Sequence, residues 1–334
     1  DWGFTYYRSN ISNFQGFYQY PNELSLYDNV LISNLFQANG IFPLNEVKSF
    51  RATIGLRRDR GIIRPVNVFG LPDSAKLRTP DSSAATVLSR FEYVHDNTIN
   101  PTQNIWNGIR WKVYFDINVP VSKGSSLKGR NNFNIGTDVR YYHKIYRNFI
   151  WAGRAAGDFS FGDSKLVYYL GGVDGWINPK FNNANIPSSQ NQYAFQTLAL
   201  NMRGYIQNAA NGNNAIVLNS EFRLPVFTTF FSKPINNAFL RNFQLVQFID
   251  LGTAWNGTFL ENIKRPTYIY TSDDPNNPVV IRQRAGGIGP FAGGYGFGVR
   301  STLLGYFLKL DAAWPMSGLF TGKPNWYFAL GFDF

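Results

Sequence analysis

The side chains of this 334-residue chain are poor in catalytic types and rich in ionic ones. His95 and His143 are its two histidines and fall in different extended segments, so they cannot form a paired-histidine metal site. Cysteine is absent, which removes disulfides, thiol catalysis and thiolate metal ligation together. No serine nucleophile elbow, phosphate loop or catalytically spaced carboxylate pair stands out. Gly293 to Gly298 reads Gly-Gly-Tyr-Gly-Phe-Gly, but its alternate residues are apolar and extended, which suits close packing or flexible strand pairing better than phosphate. The expectation is a protein that is not an enzyme and takes no metal, nucleotide or other cofactor. What remains is ion pairing. Arg51, Arg57, Arg90, Arg110, Lys112, Arg140, Arg154, Arg223, Arg300 and Lys309 are nearly matched by Glu92, Asp96, Asp116, Asp138, Asp158, Glu221, Asp250, Asp311 and Asp333. Such a set predicts a cross-linked ionic lining more than a field that selects one ion sign.

Period-two segments must position these charges. Ile109, Trp111, Val113, Phe115, Ile117 and Val119 alternate with Arg110, Lys112, Tyr114, Asp116 and Asn118. Ile216, Leu218, Phe222 and Leu224 oppose Asn219, Glu221 and Arg223; Tyr306, Leu308, Leu310, Ala312 and Trp314 oppose Phe307, Lys309, Asp311 and Ala313. The last ten residues place Trp326, Phe328, Leu330, Phe332 and Phe334 on one face of a terminal strand. In a soluble barrel the polar set would face outward; in a membrane barrel the assignment inverts. Short turns (39–45, 97–107, 145–148, 303–305) alternate with long connections (58–85, 161–213, 256–292), as in outer-membrane barrels, which puts Phe334 on the periplasmic side. The connection 227–243 breaks this rule by its length, and residues 1–23 look strand-like without a clear register. The fold class is all-β: a transmembrane antiparallel β-barrel, with about a dozen visible strands of ~10 residues.

Composition agrees. With 44% hydrophobic residues, no run approaches the ~18 apolar residues of a membrane-spanning helix. Aromatic content of 17% suits girdles at two membrane interfaces. The net charge of +11 is dispersed and forms no basic helix, so nucleic acid is not an expected partner. Most of the excess falls in the presumed extracellular loops, a basic face suited to lipopolysaccharide or an acidic partner, or merely to solubility.

Several segments in order resemble the BamA/TamA superfamily of outer-membrane assembly and translocation barrels: Tyr93-Val-His-Asp-Asn-Thr followed by Pro101 and Gly108, Tyr169-Leu-Gly-Gly172, Met202-Arg-Gly-Tyr205, Glu221-Phe-Arg-Leu-Pro225, Phe248-Ile-Asp-Leu-Gly252 with Trp255, and the terminal aromatic strand. The resemblance implies that the loop bearing Arg203, Gly204 and Tyr205 folds into the lumen and that Arg203 is locked between Glu221 and Asp250. Both carboxylates lie on charge-bearing faces, and a guanidinium suits such an enclosed pair. It also implies that Trp326, Phe328, Leu330, Phe332 and Phe334 form part of a C-terminal signal read by assembly machinery. Two departures stand out. Met202 replaces the usual Val or Ile, and an insert, 173–201, separates Gly172 from Arg203. The insert is expected to plug the lumen or form an external cap.

The family's sixteen-stranded plan implies that residues 1–334 form one outer-membrane barrel domain whose first strands, with any periplasmic domain, precede Asp1. A smaller closed barrel of about twelve strands is the other reading. The function the resemblance implies is insertion or translocation of polypeptides at the bacterial outer membrane. Its partners would be membrane lipid, lipopolysaccharide, and client polypeptides or assembly-complex subunits, with no nucleotide. A diffusion channel or transporter, and an anchor for an upstream domain, are the alternatives.

Overall fold

A computed structural model describes the chain apart from residues 21–22, 66–81, 103, 122–130, 186, 188–192, 199–200, 258–266, 272–279, 285–290, 317 and 321. Much of the loop charge expected at 58–85, 121–131 and 256–292 lies outside the described residues.

One large antiparallel sheet dominates. It begins with β1 (Trp2–Tyr20), β2 (Glu23–Pro43), β3 (Lys48–Pro65) and β4 (Ser82–Asp96). The short β5 (Ile99–Thr102) folds onto β6 (Ile105–Pro120), and β7 (Asn132–Tyr146) and β8 (Phe149–Gly162) follow. The path continues through β12 (Asn214–Pro225), β13 (Gln244–Trp255), β16 (Ala292–Leu303), β17 (Tyr306–Pro315) and β18 (Asn325–Leu330). The connection between β8 and β12 carries β9 (Lys165–Leu170), β10 (Tyr193–Leu198) and β11 (Ala210–Gly212), which form a small sheet in the order β10-β9-β11. Part of the insert is therefore ordered structure. The connection between β12 and β13 holds two short helices, α1 (Val226–Phe230) and α2 (Ala238–Arg241), and β14 (Thr267–Thr271) pairs with β15 (Val280–Arg284).

The alternation resolves as a sheet turned inside out. On β12, Ile216, Leu218 and Phe222 are 37%, 49% and 40% exposed, whereas Glu221 and Arg223 are 1% and 0% exposed. On β13, Leu245, Ile249 and Leu251 face out while Val246, Phe248 and Asp250 are buried. Register keeps like with like: Asn219 stands opposite Asp250 and Leu218 opposite Leu251. An apolar outer face over a charged inner one is the wall of a transmembrane barrel, where lipid rewards outward Leu and Phe.

The structure departs from expectation in four ways. The first three strands run to 19, 21 and 18 residues, well beyond ~10. The stretch 1–23 had no clear register in the sequence; within it β1 pairs with β2 from Trp2 opposite Gly40 to Tyr20 opposite Glu23, with a shift between Phe14 and Phe17. The closure that the smaller twelve-stranded reading requires is not made: among the described residues β1 and β18 end the path and do not pair. Finally, the terminal strand stops at Leu330, short of Phe334. Gly331 takes a φ of +106°, a left-handed conformation that few other residues tolerate, and turns the chain out of the sheet.

Candidate functional site

The inner face of β12, β13, β16 and β18 carries the segment from Met202 to Tyr205. Its foundation is apolar: Met202 is buried with Leu170 of β9, Ala215 and Val217 of β12, Ala254 of β13 and Ala292 of β16, and Tyr205 packs on this cluster. Met202 N–H donates to the Gly172 carbonyl, and Gly172 N–H donates to that of Tyr205, so the Gly-Gly turn after β9 and the Arg-Gly-Tyr segment clasp each other. Gly204, at φ +97°, fits where a Cβ would lie 3.0 Å from the Cα of Gly294 and 2.9 Å from the Trp314 carbonyl. A Cβ on Gly294 would run into the Arg203 carbonyl. Gly294, near the start of β16, is thus the bed on which this segment lies.

Arg203 is 5% exposed and fully engaged. Its Nε and Nη2 donate to Asp250 Oδ2 and Oδ1 at 2.7 and 2.9 Å, and its backbone N–H adds a third bond to Oδ2 at 2.9 Å. Nη1 lies 2.6 Å from Glu221 Oε1. The guanidinium stacks over the Phe248 ring, 3.6 Å from its centroid, a cation–π contact in a desolvated place. Burial alone would lower its pKa, but Asp250 and then Glu221 outweigh that and hold it well above the ordinary arginine value. No accessible pH discharges it. On the far side, Asn325 Nδ2 donates to the Gly204 carbonyl and the Tyr327 hydroxyl to that of Tyr205, each at 2.7 Å.

A second cluster receives the C-terminus. Phe332 is exposed beyond the end of β18, whereas Phe334 turns inward against Ile105, Tyr142, Ile150 and Ala152. The five-residue face drawn from the alternation therefore holds for Trp326, Phe328 and Leu330, all exposed, and fails at Phe334. The physical reason is Asp333. Arg300 Nε reaches it at 2.8 Å, Lys309 Nζ lies 3.6 Å away, and Asn104 donates from Nδ2 while accepting the Asp333 N–H. Burial would raise the Asp333 pKa, yet Arg300, Lys309 and Arg223 hold it well below the usual carboxylate range.

The two clusters share a member. Glu221 bonds Arg203 through one oxygen and Arg223 Nε through the other at 2.8 Å, and Arg223 Nη2 donates to the Phe334 carbonyl at 3.0 Å. Elsewhere the inner charges pair between neighbouring strands, Arg90 with Asp116, Lys112 with Glu92, Arg154 with Asp138 and Arg300 with Asp311, or within β7, where Arg140 also pairs with Asp138. His95 and His143 lie on β4 and β7 and stack on Trp111 and Tyr141. Sequence reasoning missed Phe248, Asn325, Tyr327 and Asn104. The first three could have been flagged because they project inward from the strands that face Arg203, but only tertiary placement identifies Asn104.

The site and wall together define the class: a large antiparallel β-wall with lipid-facing apolar residues and an inner face cross-linked by ion pairs around an inward loop. Among solved structures, the chain is similar to BamA from Haemophilus ducreyi lacking POTRA domains 1–3, at 13% identity and a TM-score of 0.48, covering 97% of this chain and 61% of that one. It is similar to CdiB from Escherichia coli at 13% identity and a TM-score of 0.48, covering 98% and 49%. For CdiB from Acinetobacter baumannii the values are 11%, 0.46, 98% and 46%. The chain thus spans about half to three-fifths of the length of these proteins. No protein-family model matches the chain, and no curated protein does.

Proposed function

We propose that this chain is the barrel portion of a bacterial outer-membrane protein that inserts or translocates other polypeptides, with its C-terminus at the periplasmic side. The observation that carries the reading is the inversion of the sheet. Exposed Leu and Phe side chains band the outside while fully buried Arg223 and Arg300 lie within, an arrangement that is stable in lipid and untenable for an isolated domain in water. The described sheet path ends at β1 and β18, and backbone groups along such terminal strands are those by which an extended client could be added. The Arg203–Glu221–Asp250 trio serves as a lock that holds the loop on the inner face and takes no part in bond-making. A loop so placed disfavours a steady open channel. Lipid and lipopolysaccharide surround the barrel, and client polypeptides or assembly subunits are its partners. Trp326, Phe328, Leu330, Phe332 and Phe334 act together as the C-terminal signal.

The test is reconstitution. Proteoliposomes carrying the protein should accelerate the folding of a urea-denatured outer-membrane barrel, read as acquisition of heat-modifiable gel mobility. Steady large conductance in planar bilayers without such acceleration would identify a diffusion channel instead.

A further inference from the structure

The connection between β12 and β13 is longer than a tight turn, and it is fixed at three points. Val226 N–H donates to the Phe243 carbonyl and closes the loop at its base. Toward β8, Arg147 Nη1 donates to the Thr229 carbonyl at 2.9 Å, so the turn after β7 holds the end of α1. Toward β16, the Ser301 hydroxyl donates to the Phe239 carbonyl at 2.7 Å and Asn242 Nδ2 to the Thr302 hydroxyl at 3.0 Å. The result is a ledge along the rim beneath β8, β12, β13 and β16. It leaves Phe230, Phe231, Phe239 and Leu240 exposed. The charge of this rim is one-sided: residues 143–149, 226–243 and 302–306 contain Lys144, Arg147, Lys233 and Arg241 and no carboxylate. Exposed aromatics among exposed cations suit an anionic membrane surface.

Above the ledge the lipid-facing wall is hollowed. Gly153 and Ala155 of β8 and Ser220 of β12 are small, and the first and last of these share a row with Tyr141 of β7 and Ile249 of β13. They line an outward groove of about 430 Å³, within the ~300–1,000 Å³ of small-molecule sites. Its hydrogen-bonding groups are spent. Trp151 Nε1 donates to the Ser220 hydroxyl at 2.9 Å with its indole lying against Gly153, while Arg154 and Asn219 send their side chains inward to Asp138 and the Asn201 carbonyl. What fits there is hydrocarbon. Depth agrees: Trp151 and Ala155 stand four and eight residues along β8 from Arg147, which at ~3.3 Å per residue and a tilt of ~40° puts the groove roughly 10 to 20 Å above the rim. A leaflet's hydrocarbon is ~15 Å deep, half of the ~30 Å core, so the groove meets the end of an acyl chain whose headgroup lies at Arg147.

We infer that groove and ledge form one binding site for an anionic phospholipid of the periplasmic leaflet, with an acyl chain in the groove and the phosphate between Arg147 and the ledge. The choice of leaflet rests on the orientation in the proposed function. Arg147 is exposed and has N–H groups beyond the one that holds Thr229, enough to meet a phosphate. A seated chain supplies the packing that Gly153 and Ser220 leave out, and ties the outer face of β7 and β8 to that of β12 and β13.

The test is photolabelling of the protein in lipid nanodiscs, using phospholipids that carry a diazirine near the end of one acyl chain. A phosphatidylglycerol probe should label residues 139–141, 151–155 and 218–220 at least tenfold more than Ile54 and Leu56, which are exposed on β3. A phosphatidylcholine probe with the same chains should label the groove at least fivefold less. Arg147→Gln with Arg241→Gln should remove that difference between the two lipids, and Gly153→Leu should abolish groove labelling by both. If Gly153→Leu loses the compact mobility of unboiled protein in SDS gels, Ala155→Phe fills the groove from the next row and should have the same effect. Uniform labelling along the wall would overturn the groove, and equal labelling of the natural protein by the two lipids would overturn the headgroup site. Displacement of the probe by lipopolysaccharide as readily as by unlabelled phosphatidylglycerol would overturn the assignment to the periplasmic leaflet. If the protein accelerates no client folding while the labelling keeps this pattern, the proposed function fails and the lipid site stands.

Discussion

Replacing Arg203 by alanine should release the loop, and the structure says how strongly. Arg203 touches two carboxylates, but they are not left in the same condition. Glu221 keeps Arg223, whose Nε lies 2.8 Å from Oε2. Asp250 is 0% exposed and keeps only the backbone N–H bond from residue 203, which has no charge. Breaking one half of a buried pair costs about 3 to 5 kcal/mol. Water entering the vacated space lowers this, and the lost stacking on Phe248 adds about 1 to 2 kcal/mol in a desolvated setting. A net loss of about 3 kcal/mol corresponds to roughly a hundredfold rise in the population of detached loop. Limited proteolysis between residues 173 and 213 should therefore accelerate by about that factor, if the detached state is what the protease cuts. Asp250→Asn should approach the same effect, whereas Glu221→Gln should do less, because Asp250 still holds Arg203 by two side-chain bonds. Arg203→Lys should restore part of the loss, since a point charge cannot bridge two carboxylates as a planar fork does. Unchanged cleavage in Arg203→Ala, or a larger effect from Glu221→Gln than from Asp250→Asn, would refute the lock.

Three further perturbations probe the same framework. Gly294→Ala places a methyl against the Arg203 carbonyl and should free the loop without altering any charge, giving a proteolysis pattern like that of Arg203→Ala; natural protection would mean that the glycine bed is dispensable. Deleting Phe334 removes its ring from Ile105 and Tyr142 and its carbonyl from Arg223, and should lower the temperature at which the unboiled protein loses its compact mobility in SDS gels, as well as its level in membrane fractions; normal values for both would refute a role for the tail. Asp333 has a folded pKa held well below 3.8, so its contribution to stability is fully present above its unfolded value of about 3.9 and is lost as pH falls below that toward the folded value. The deficit of Asp333→Asn relative to the natural protein, followed by thermal melting in detergent, should be constant above pH ~5 and shrink on acidification; a deficit that grows as pH falls would contradict the assignment.

The wall was legible because it obeys a period of two, and the tail and the insert were not because their placement obeys none. Ile216 to Leu224 and Tyr306 to Trp314 announce both their conformation and their two faces. The sign of those faces required one further fact, that ions on strands need partners, and the near match of cations and anions supplied it. Phe334 misled because alternation continues through Phe332 to the last residue; nothing in the pattern shows that Gly331 is left-handed or that Arg300 and Lys309 await Asp333. Residues 173–177 were unreadable for a related reason. Three residues that bridge to a strand distant in sequence carry no period, and Gly175 makes sense only beside the Leu330 carbonyl.

The buried ions also explain how one sequence chooses which face points inward. Ion pairs of this kind add little net stability over well-packed apolar residues, so the gain must lie elsewhere. A slip of one residue between β12 and its neighbours would exchange the two faces of the strand. Glu221 and Arg223 would meet lipid while Leu218 and Phe222 turned toward Asp250 and Arg203. An arginine facing the bilayer midplane costs about 2 to 4 kcal/mol, with a smaller cost for the carboxylate, and the slip also strands the partners left inside. The same arithmetic applies at Arg300 and Asp311 on β16 and β17, whose outward neighbours are Val299 and Leu310. Had the inner residues been leucine and valine, both faces would suit lipid and register would rest on turns alone. The charges thus act less as glue than as an index, and the Arg203 segment is aligned by that index because Glu221 and Asp250 belong to it.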